Sequence, residues 1–426
     1  MRHSFPRRDF LRGAVVLGVG SALGSRAQAG PNEKLNIGII GTSGRALSNI
    51  EGVQGENIVA VCDIDDRNLN EARGRFPKAQ GFEDFRKLIE MQGLDAVVVS
   101  TADHTHAPAS AMALRLGKHV YCEKPLTHSV YEARTVAKMA KEAKVATQMG
   151  TQIHATDNYR RVVEVVRSGA IGPIKEVHVW CTGKTWSGGT RPTETPSVPS
   201  YLKWDLWLGP APERPYHPTY LPANWRRWWD FGNGTLGDMA CHVMDLPFWA
   251  LDLRYPTTIE AMGPPVSSET TPTALEVKYS FPATSSRAAL DLHWYDGGAK
   301  PKILEENKLP NWGLGVLFVG EKGMLQADYG RLRLFPELEF KDFAMPSPTI
   351  PPSIGHHAEW IAACKDGRPT TCNFDYSGAL TETVLLGNVA YRSGKKIEWD
   401  GPNMKAVNCP EAEAFLRRDY RKDWTL

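Results

Sequence analysis

A glycine turn, Gly41-Thr42-Ser43-Gly44-Arg45-Ala46, follows the apolar run 35–40, and an acid, Asp63, stands 22 residues beyond Gly41. Glycines at such a turn let a phosphate approach the backbone N–H groups that open a helix. An acid at the end of the next strand accepts hydrogen bonds from a ribose. The turn departs from G-x-G-x-x-G at two positions, with Ser43 in the second glycine place and Ala46 in the third. Ala is a known variant there. Ser is small enough to permit the approach, and its hydroxyl can donate to a phosphate. Gly41, Thr42, Ser43, Gly44, Arg45 and Asp63 therefore read as a dinucleotide site. A carboxylate at 63 disfavours the 2′-phosphate of NADP, because like charges about 4 Å apart repel by roughly 4 kcal/mol at an effective dielectric near 20. NAD is expected over NADP, with Arg45 or Arg67 able to offset part of the repulsion. The plain alternative is that Gly41 and Asp63 are only turn and strand-end residues.

The elements that must hold this turn are legible as a change of period. From Lys34 to about Gly150, short β-branched runs (35–40, 57–63, 95–100, 118–123, 145–150) alternate with helical stretches at 65–75, 83–91, 107–117 and 129–143. Continuous apolar runs alternating with helices indicate a parallel sheet covered on both faces. Beyond about residue 170, segments such as 273–281, 288–295 and 175–180 alternate apolar and polar residues, as strands with one buried face do. A second, mostly antiparallel sheet follows from that. Residues 183–235 are rich in Pro, Gly and Trp and read as long loops, which in a compact domain point to binding or catalysis. Helices return at 237–250, 355–366 and 377–393. The fold class is α/β, with a Rossmann domain over 30–150 and an α/β domain with an open sheet over 151–426.

The first 29 residues read as a leader. Arg7-Arg8-Asp9-Phe10-Leu11 is a twin-arginine motif, residues 13–24 are a short apolar stretch, and Ala27-Gln28-Ala29 is a cleavage signal. A periplasmic or otherwise exported protein is expected, with an uncleaved anchor or a chance basic N-terminus as the alternatives. The net charge of +2 hides a leader of +4, so the remainder is near −2. That excludes nucleic acid as a partner, since phosphate binding needs a basic surface. Seven scattered cysteines without C-x-x-C make neither a disulfide framework nor a zinc site, so no metal is expected. Pairing of Cys364 with Cys372 stays open.

Glu123-Lys124-Pro125, preceded by residues 117–122, is a more specific signal. With Thr101-Ala102-Asp103-His104-Thr105-His106, residues 204–218, 234–245 and 373–399, it resembles the Gfo/Idh/MocA family, and the later segments resemble a twin-arginine-exported branch of it. The resemblance implies a Rossmann domain followed by an open, largely antiparallel sheet. It places the lysine of E-K-P beside the nicotinamide and the substrate hydroxyl, and gives the acid/base group to a D-x-x-x-H pair. Carried over, these catalytic residues are Lys124, Asp238 and His242. Asp238 and His242 are four apart in a helix and share a face. His can accept a hydroxyl proton as hydride leaves the same carbon, with the carboxylate fixing its tautomer. Lys124 puts positive charge where an alkoxide develops. The plain readings are a helix-start acid at 238, a core histidine at 242 and a solvated lysine at 124.

Thr101, His106 and Glu123 join the cofactor set, His106 to position the nicotinamide or pack beneath it. Gln152, His154 and Trp228 are expected at the substrate, while Asp245 is open between substrate contact and structural role. Eight of thirteen tryptophans lie between 180 and 249, and aromatic faces suit sugar rings. An oxidoreductase moving hydride between a sugar or glycoside carbinol carbon and tightly bound NAD is expected, as a homo-oligomer through the C-terminal sheet. The alternative is a glycoside hydrolase that oxidises the sugar transiently, eliminates the aglycone, adds water and returns the hydride. A non-catalytic binding protein is the third reading. Export bears on the choice, because a dissociating cofactor would be lost outside the cytoplasm.

Overall fold

A computed structural model describes residues 33–183 and 186–426; the leader lies outside the described residues. The N-terminal part alternates strand and helix: β1 Asn36–Ile40, α1 Ala46–Val53, β2 Asn57–Cys62, α2 Asp66–Arg75, β3 Gln80–Phe82 and α3 Phe85–Ile89. β4 Ala96–Val99, α4 Asp103–Arg115, β5 His119–Cys122, α5 Val130–Ala143 and β6 Thr147–Met149 complete it. The strands form one sheet in the order β3-β2-β1-β4-β5-β6, every pair parallel. All four residues of β4 are buried, because helices cover both faces. The order reverses direction between β1 and β4, and ligands bind at such switch points, outside the carboxyl ends of the strands.

After α6 Asp157–Arg167 and β7 Ile174–Cys181 come three helices, α7 Trp204–Leu208, α8 Gly234–Val243 and α9 Asp245–Ala250. Then follow β8 Thr258–Met262, β9 Glu276–Phe281, β10 Leu290–Tyr295, α10 Ile303–Glu306, β11 Leu314–Gly320, β12 Met324–Ala327 and β13 Leu332–Phe335. α11 His356–Asp366, α12 Phe374–Ser393, β14 Ile397–Asp400 and β15 Lys405–Ala406 close the fold. The nine strands lie in the order β13-β12-β11-β7-β10-β9-β8-β14-β15. Only β7 and β10 run parallel. Strict burial alternation in β9 and β10 follows from the period-2 pattern, and their inner face packs on α12. α12 approaches so closely that a Cβ on Gly387 would meet Tyr279 Oη at 2.4 Å.

The chain after residue 350 returns to the first domain. α11 packs on α1, and its Trp360 and Cys364 are buried in the core beneath the parallel sheet. All seven cysteines are buried and free, so Cys364 and Cys372 do not pair. They sit on different elements and each is packed among neighbours of its own. Strand β3, too short and polar to stand out in sequence, adds an edge beside β2. α4 begins at Asp103, four residues before the expected start at 107, which places the whole Thr101–His106 segment at a helix N-terminus. The 237–250 helix divides at Met244 into α8 and α9.

Several histidines are buried without a charge partner, and this gives the fold an acid limit. Burial pushes His104 down to about 3, and His356 likewise. Their folded values lie below the unfolded one, so unfolding takes up protons below about pH 6.5. Their contribution is complete above that pH and is lost as pH falls toward 3. We expect the unfolding free energy to fall between pH 6.5 and 4 by up to about 1.4 kcal/mol per pH unit for each such histidine, and the Tm to fall with it. His104→Gln keeps a donor for Trp207 O, which His104 Nε2 contacts at 2.8 Å, but cannot charge. Thermal melts of that variant across the pH range should show a shallower acid limb than wild type; an unchanged slope would remove His104 from the account.

Candidate active site

The glycine turn leaves β1 at the switch point and opens α1. Gly41 has φ +84°, and a Cβ there would meet Ser100 O at 2.6 Å; Gly44 has φ +60° and faces open space. The start of α1 has no side-chain cap, and its first N–H groups, those of Ala46 and Leu47, donate to Ser43 O and Gly44 O at 3.2 Å. Asp63 at the end of β2 accepts from Thr42 N and Thr42 Oγ1, both at 2.9 Å, and from Asp65 N at 3.0 Å. Turn and acid line one cavity of about 710 Å³, together with Ser43, Arg45 and Thr101. A turn that excludes a Cβ at Gly41, a helix start without a side-chain cap and a carboxylate at the end of the next strand fit a dinucleotide. Arg67 is committed to Asp65 at 2.7 Å and Arg45 to Glu123 at 3.1 Å. Neither cation stands free to receive a 2′-phosphate, which favours NAD.

Glu123 acts from behind this turn. Its Oε1 accepts from Arg45 Nε and from Asn49 Nδ2 at 2.9 Å, and Gly150 leaves room for it, since a Cβ there would lie 2.6 Å from Oε1. Through these bonds it anchors the turn and α1. His106 lies under the E-K-P segment with Nδ1 2.8 Å from Pro125 O and Nε2 3.0 Å from Thr101 O. At 1% exposure it is packed beneath the site, the second of the two roles open to it.

Asp238, expected to orient His242, pairs instead with Lys124. Lys124 Nζ donates to the Asp238 carboxylate and, at 2.7 Å, to Asp238 O. Trp186 Nε1 donates to Asp238 Oδ2 at 2.6 Å, and Arg226 Nε to Oδ1 at 3.1 Å. Burial alone would raise the Asp238 carboxyl, but Lys124 and Arg226 outweigh it and hold it well below the usual range. The carboxylate is therefore committed to cations and does not orient His242, whose Nδ1 has no partner among the described residues. A charged ammonium and guanidinium out-compete a neutral imidazole for the same oxygens. Burial, then Lys124 beside it, pushes His242 down to about 3, so the ring is neutral. Tyr159 Oη fixes its backbone by donating to His242 O at 3.0 Å. Asp103, at the start of α4, is pushed up to about 7 by burial, against Arg226 and Lys124.

The expected substrate residues separate. Gln152 is half-buried with Oε1 unpartnered among the described residues. His154 and Asp245 are 1% and 0% exposed and bond each other at 2.9 Å, with Tyr376 Oη donating to Asp245 Oδ1 at 2.7 Å and Trp249 stacked on His154 at 4.0 Å. Asp245 outweighs burial and raises the His154 pKa well above its ordinary value. The pair is buried and neither member lines the dinucleotide cavity, while His154 Nε2 has no partner among the described residues. Trp228 is 1% exposed and edge-on to Tyr220 inside the Trp-rich segment; like Lys124, Asp238 and His242, it is not among the residues that line the dinucleotide cavity. The tryptophans that line the cavity are Trp207, Trp225 and Trp424.

Sequence reasoning missed Arg226 and Trp186. The guanidinium lies 4.2 Å over the Trp225 ring and 5.2 Å from Trp186. The arginine pair Arg226-Arg227 in an aromatic loop was the available signal, but only folding brings Arg226 to α8. Arg226→Ala is expected to lower kcat/KM by about ten- to a hundredfold, the worth of a charge-assisted hydrogen bond. Steady-state kinetics should show the loss mainly in kcat, with Arg226→Lys recovering part of it; an unaltered kcat would assign Arg226 to packing.

A family model described as oxidoreductase family, NAD-binding Rossmann fold, matches residues 35–151, and one described as oxidoreductase family, C-terminal alpha/beta domain, matches 155–291. Inositol 2-dehydrogenase of Rubrobacter xylanophilus is 35% identical over 148 residues, 34% of this chain and 42% of that protein. A glycosyl hydrolase family 109 protein of Solibacter usitatus is 30% identical over 199 residues, 39% of this chain and 44% of that one. The matched stretch thus spans less than half the length of these curated relatives. The fold is similar to WlbA dehydrogenase from Bordetella pertussis in complex with NADH and UDP-GlcNAcA, with TM-score 0.62 and 18% identity over 86% of this chain and 98% of that one.

Proposed function

The chain belongs to the Gfo/Idh/MocA oxidoreductase family, and on that premise we propose that it moves a hydride between a carbinol carbon of a sugar or glycoside and NAD. The observation that carries this reading is Lys124, fixed on Asp238 by side chain and main chain, with a neutral His242 one helical turn beyond. Bound at the Gly41–Arg45 turn, NAD supplies the hydride acceptor.

The chain's own residues then divide the work. Lys124 Nζ meets the substrate hydroxyl and stabilises the negative charge that develops on its oxygen. His242, whose Nδ1 has no partner among the described residues, passes the hydroxyl proton onward and does not hold it, since burial and Lys124 both oppose its charged form. Asp238 stays ionised and holds Lys124 in place, a positioning role. Arg226 and Trp186 hold Asp238 in turn. Low exposure around Lys124 and Asp238, at 11% and 13% of their side chains, keeps competing water from the reacting centre.

The leader of residues 1–29 supports export by the twin-arginine route, which carries folded protein, and NAD is proposed to travel with it. A redox-neutral glycosidase cycle is supported by the glycosyl hydrolase family 109 relative and is separated by experiment. The purified protein is incubated with polyols, sugars and aryl glycosides while nicotinamide absorbance and released aglycone are followed. Keto-sugar formed together with reduced nicotinamide is the expected result. Free aglycone without net reduction, and with solvent deuterium entering the sugar, would replace the dehydrogenase by the hydrolase.

A further inference from the structure

The dinucleotide cavity is walled on the side away from the parallel sheet. Residues 201–226 of the second domain run over it as a strap, presenting Leu202, Leu206, Trp207, Tyr216 and Trp225, with Trp424 beside them. The strap begins by adding itself to the loop after β2. Tyr201 O accepts from Asp66 N at 2.8 Å, Lys203 N donates to Ile64 O at 2.8 Å, and Leu202 faces Asp65 in an antiparallel bridge. That loop directly follows Asp63, so the added strand lies at the ribose end of the site.

Side chains reinforce the pairing. The Arg67 guanidinium lies 3.7 Å over the Tyr201 ring, and Lys203 Nζ reaches Asp66 at 3.5 Å and Glu83 at 3.1 Å. In mid-course Trp207 O accepts from His104. From outside, Arg421 donates to Gly209 O at 3.1 Å and Asp205 O at 2.8 Å, and its own N–H donates to Pro210 O at 3.1 Å. A segment tied this way opens rarely, because opening breaks backbone bonds and exposes buried indole faces together.

We propose that the strap 201–226, locked by its pairing with residues 64–66 and by Arg421, keeps NAD in its cavity between turnovers, so that the dinucleotide serves as a prosthetic group and not as an exchanging co-substrate. The proposal rests on the dinucleotide reading of Gly41–Arg45 and Asp63. It supplies a physical basis for retention that the glycine turn alone does not. Release then requires strap opening first, and the dissociation rate carries that opening equilibrium.

The test uses the full chain. Protein is loaded with NADH, desalted and mixed with excess NAD, and the loss of NADH emission excited through tryptophan reports dissociation. Dinucleotide freed by acid from the desalted protein is counted separately. Wild type is expected to retain a stoichiometric complement. The double variant Tyr201→Ala/Lys203→Ala, and independently Arg421→Ala, should release NADH about tenfold faster or more, because such changes act chiefly on dissociation. Arg421 lies outside the cofactor loop, so it carries the test if the double variant does not fold. Wild type that exchanges NADH as fast as the variants overturns the proposal, and so do folded variants that retain it like wild type. Failure of wild type to bind NADH at all would instead overturn the dinucleotide reading beneath it.

Discussion

Lys124→Ala is expected to lower kcat/KM by about a thousandfold or more, while the protein stays folded and keeps its dinucleotide. In the proposed reaction the ammonium meets the developing alkoxide, and neither nearby cation can replace it, because Arg226 is committed to Asp238 and Arg45 to Glu123. The fold tolerates the loss, since Asp238 retains Arg226 and Trp186 as partners. Lys124→Arg should not restore activity, because a planar fork on a longer stem cannot take the same two bonds to Asp238 O and its carboxylate. Kinetics of both variants beside a dinucleotide titration check this. A Lys124→Ala enzyme with wild-type turnover would make the lysine structural.

Gly41→Ala should abolish dinucleotide binding and destabilise the protein by on the order of 3 kcal/mol or more, as changes do that combine backbone strain with a core clash. Two penalties coincide at this position. The φ of +84° is unfavourable for any L side chain, and the new Cβ would sit 2.6 Å from Ser100 O and 2.9 Å from Ser100 C. Those are backbone atoms between β4 and α4, so relief would move the strand ends that frame the site. Gly44→Ala is the control, with φ +60° but nothing within 4 Å. It carries strain without a clash and is expected to cost only about 1 kcal/mol. Equal melting temperatures for the two variants would mean that the turn is not held against β4 as described.

Much of the fold was legible because burial writes itself into period. The parallel sheet followed from continuous β-branched runs such as residues 95–100, and β9 and β10 from strict alternation. The return of α11 to the first domain was not legible, because a helix carries no mark of which sheet it covers. Within the site, E-K-P and D-x-x-x-H located Lys124, Asp238 and His242, yet helical spacing alone suggested the wrong bond. Asp238 and His242 share a face, but the carboxylate turns to Lys124 and Arg226, whose charges lie on distant segments. The pairing of Asp245 was not legible either, because only folding brings His154 against it. Trp228 shows the same limit. Its type suited a sugar, whereas packing buried it and left Trp207 and Trp225 at the cavity.

The central claim is hydride transfer between NAD and a carbinol carbon at Lys124 and His242. Protein loaded with NADH that carries deuterium at both C4 positions of the nicotinamide, then desalted, is incubated with a panel of keto-sugars, and the products are examined by mass spectrometry and NMR. Deuterium bonded to the new carbinol carbon, absent with Lys124→Ala, is the predicted result. Products that form without deuterium at that carbon, or label that persists at wild-type level in Lys124→Ala, would contradict it.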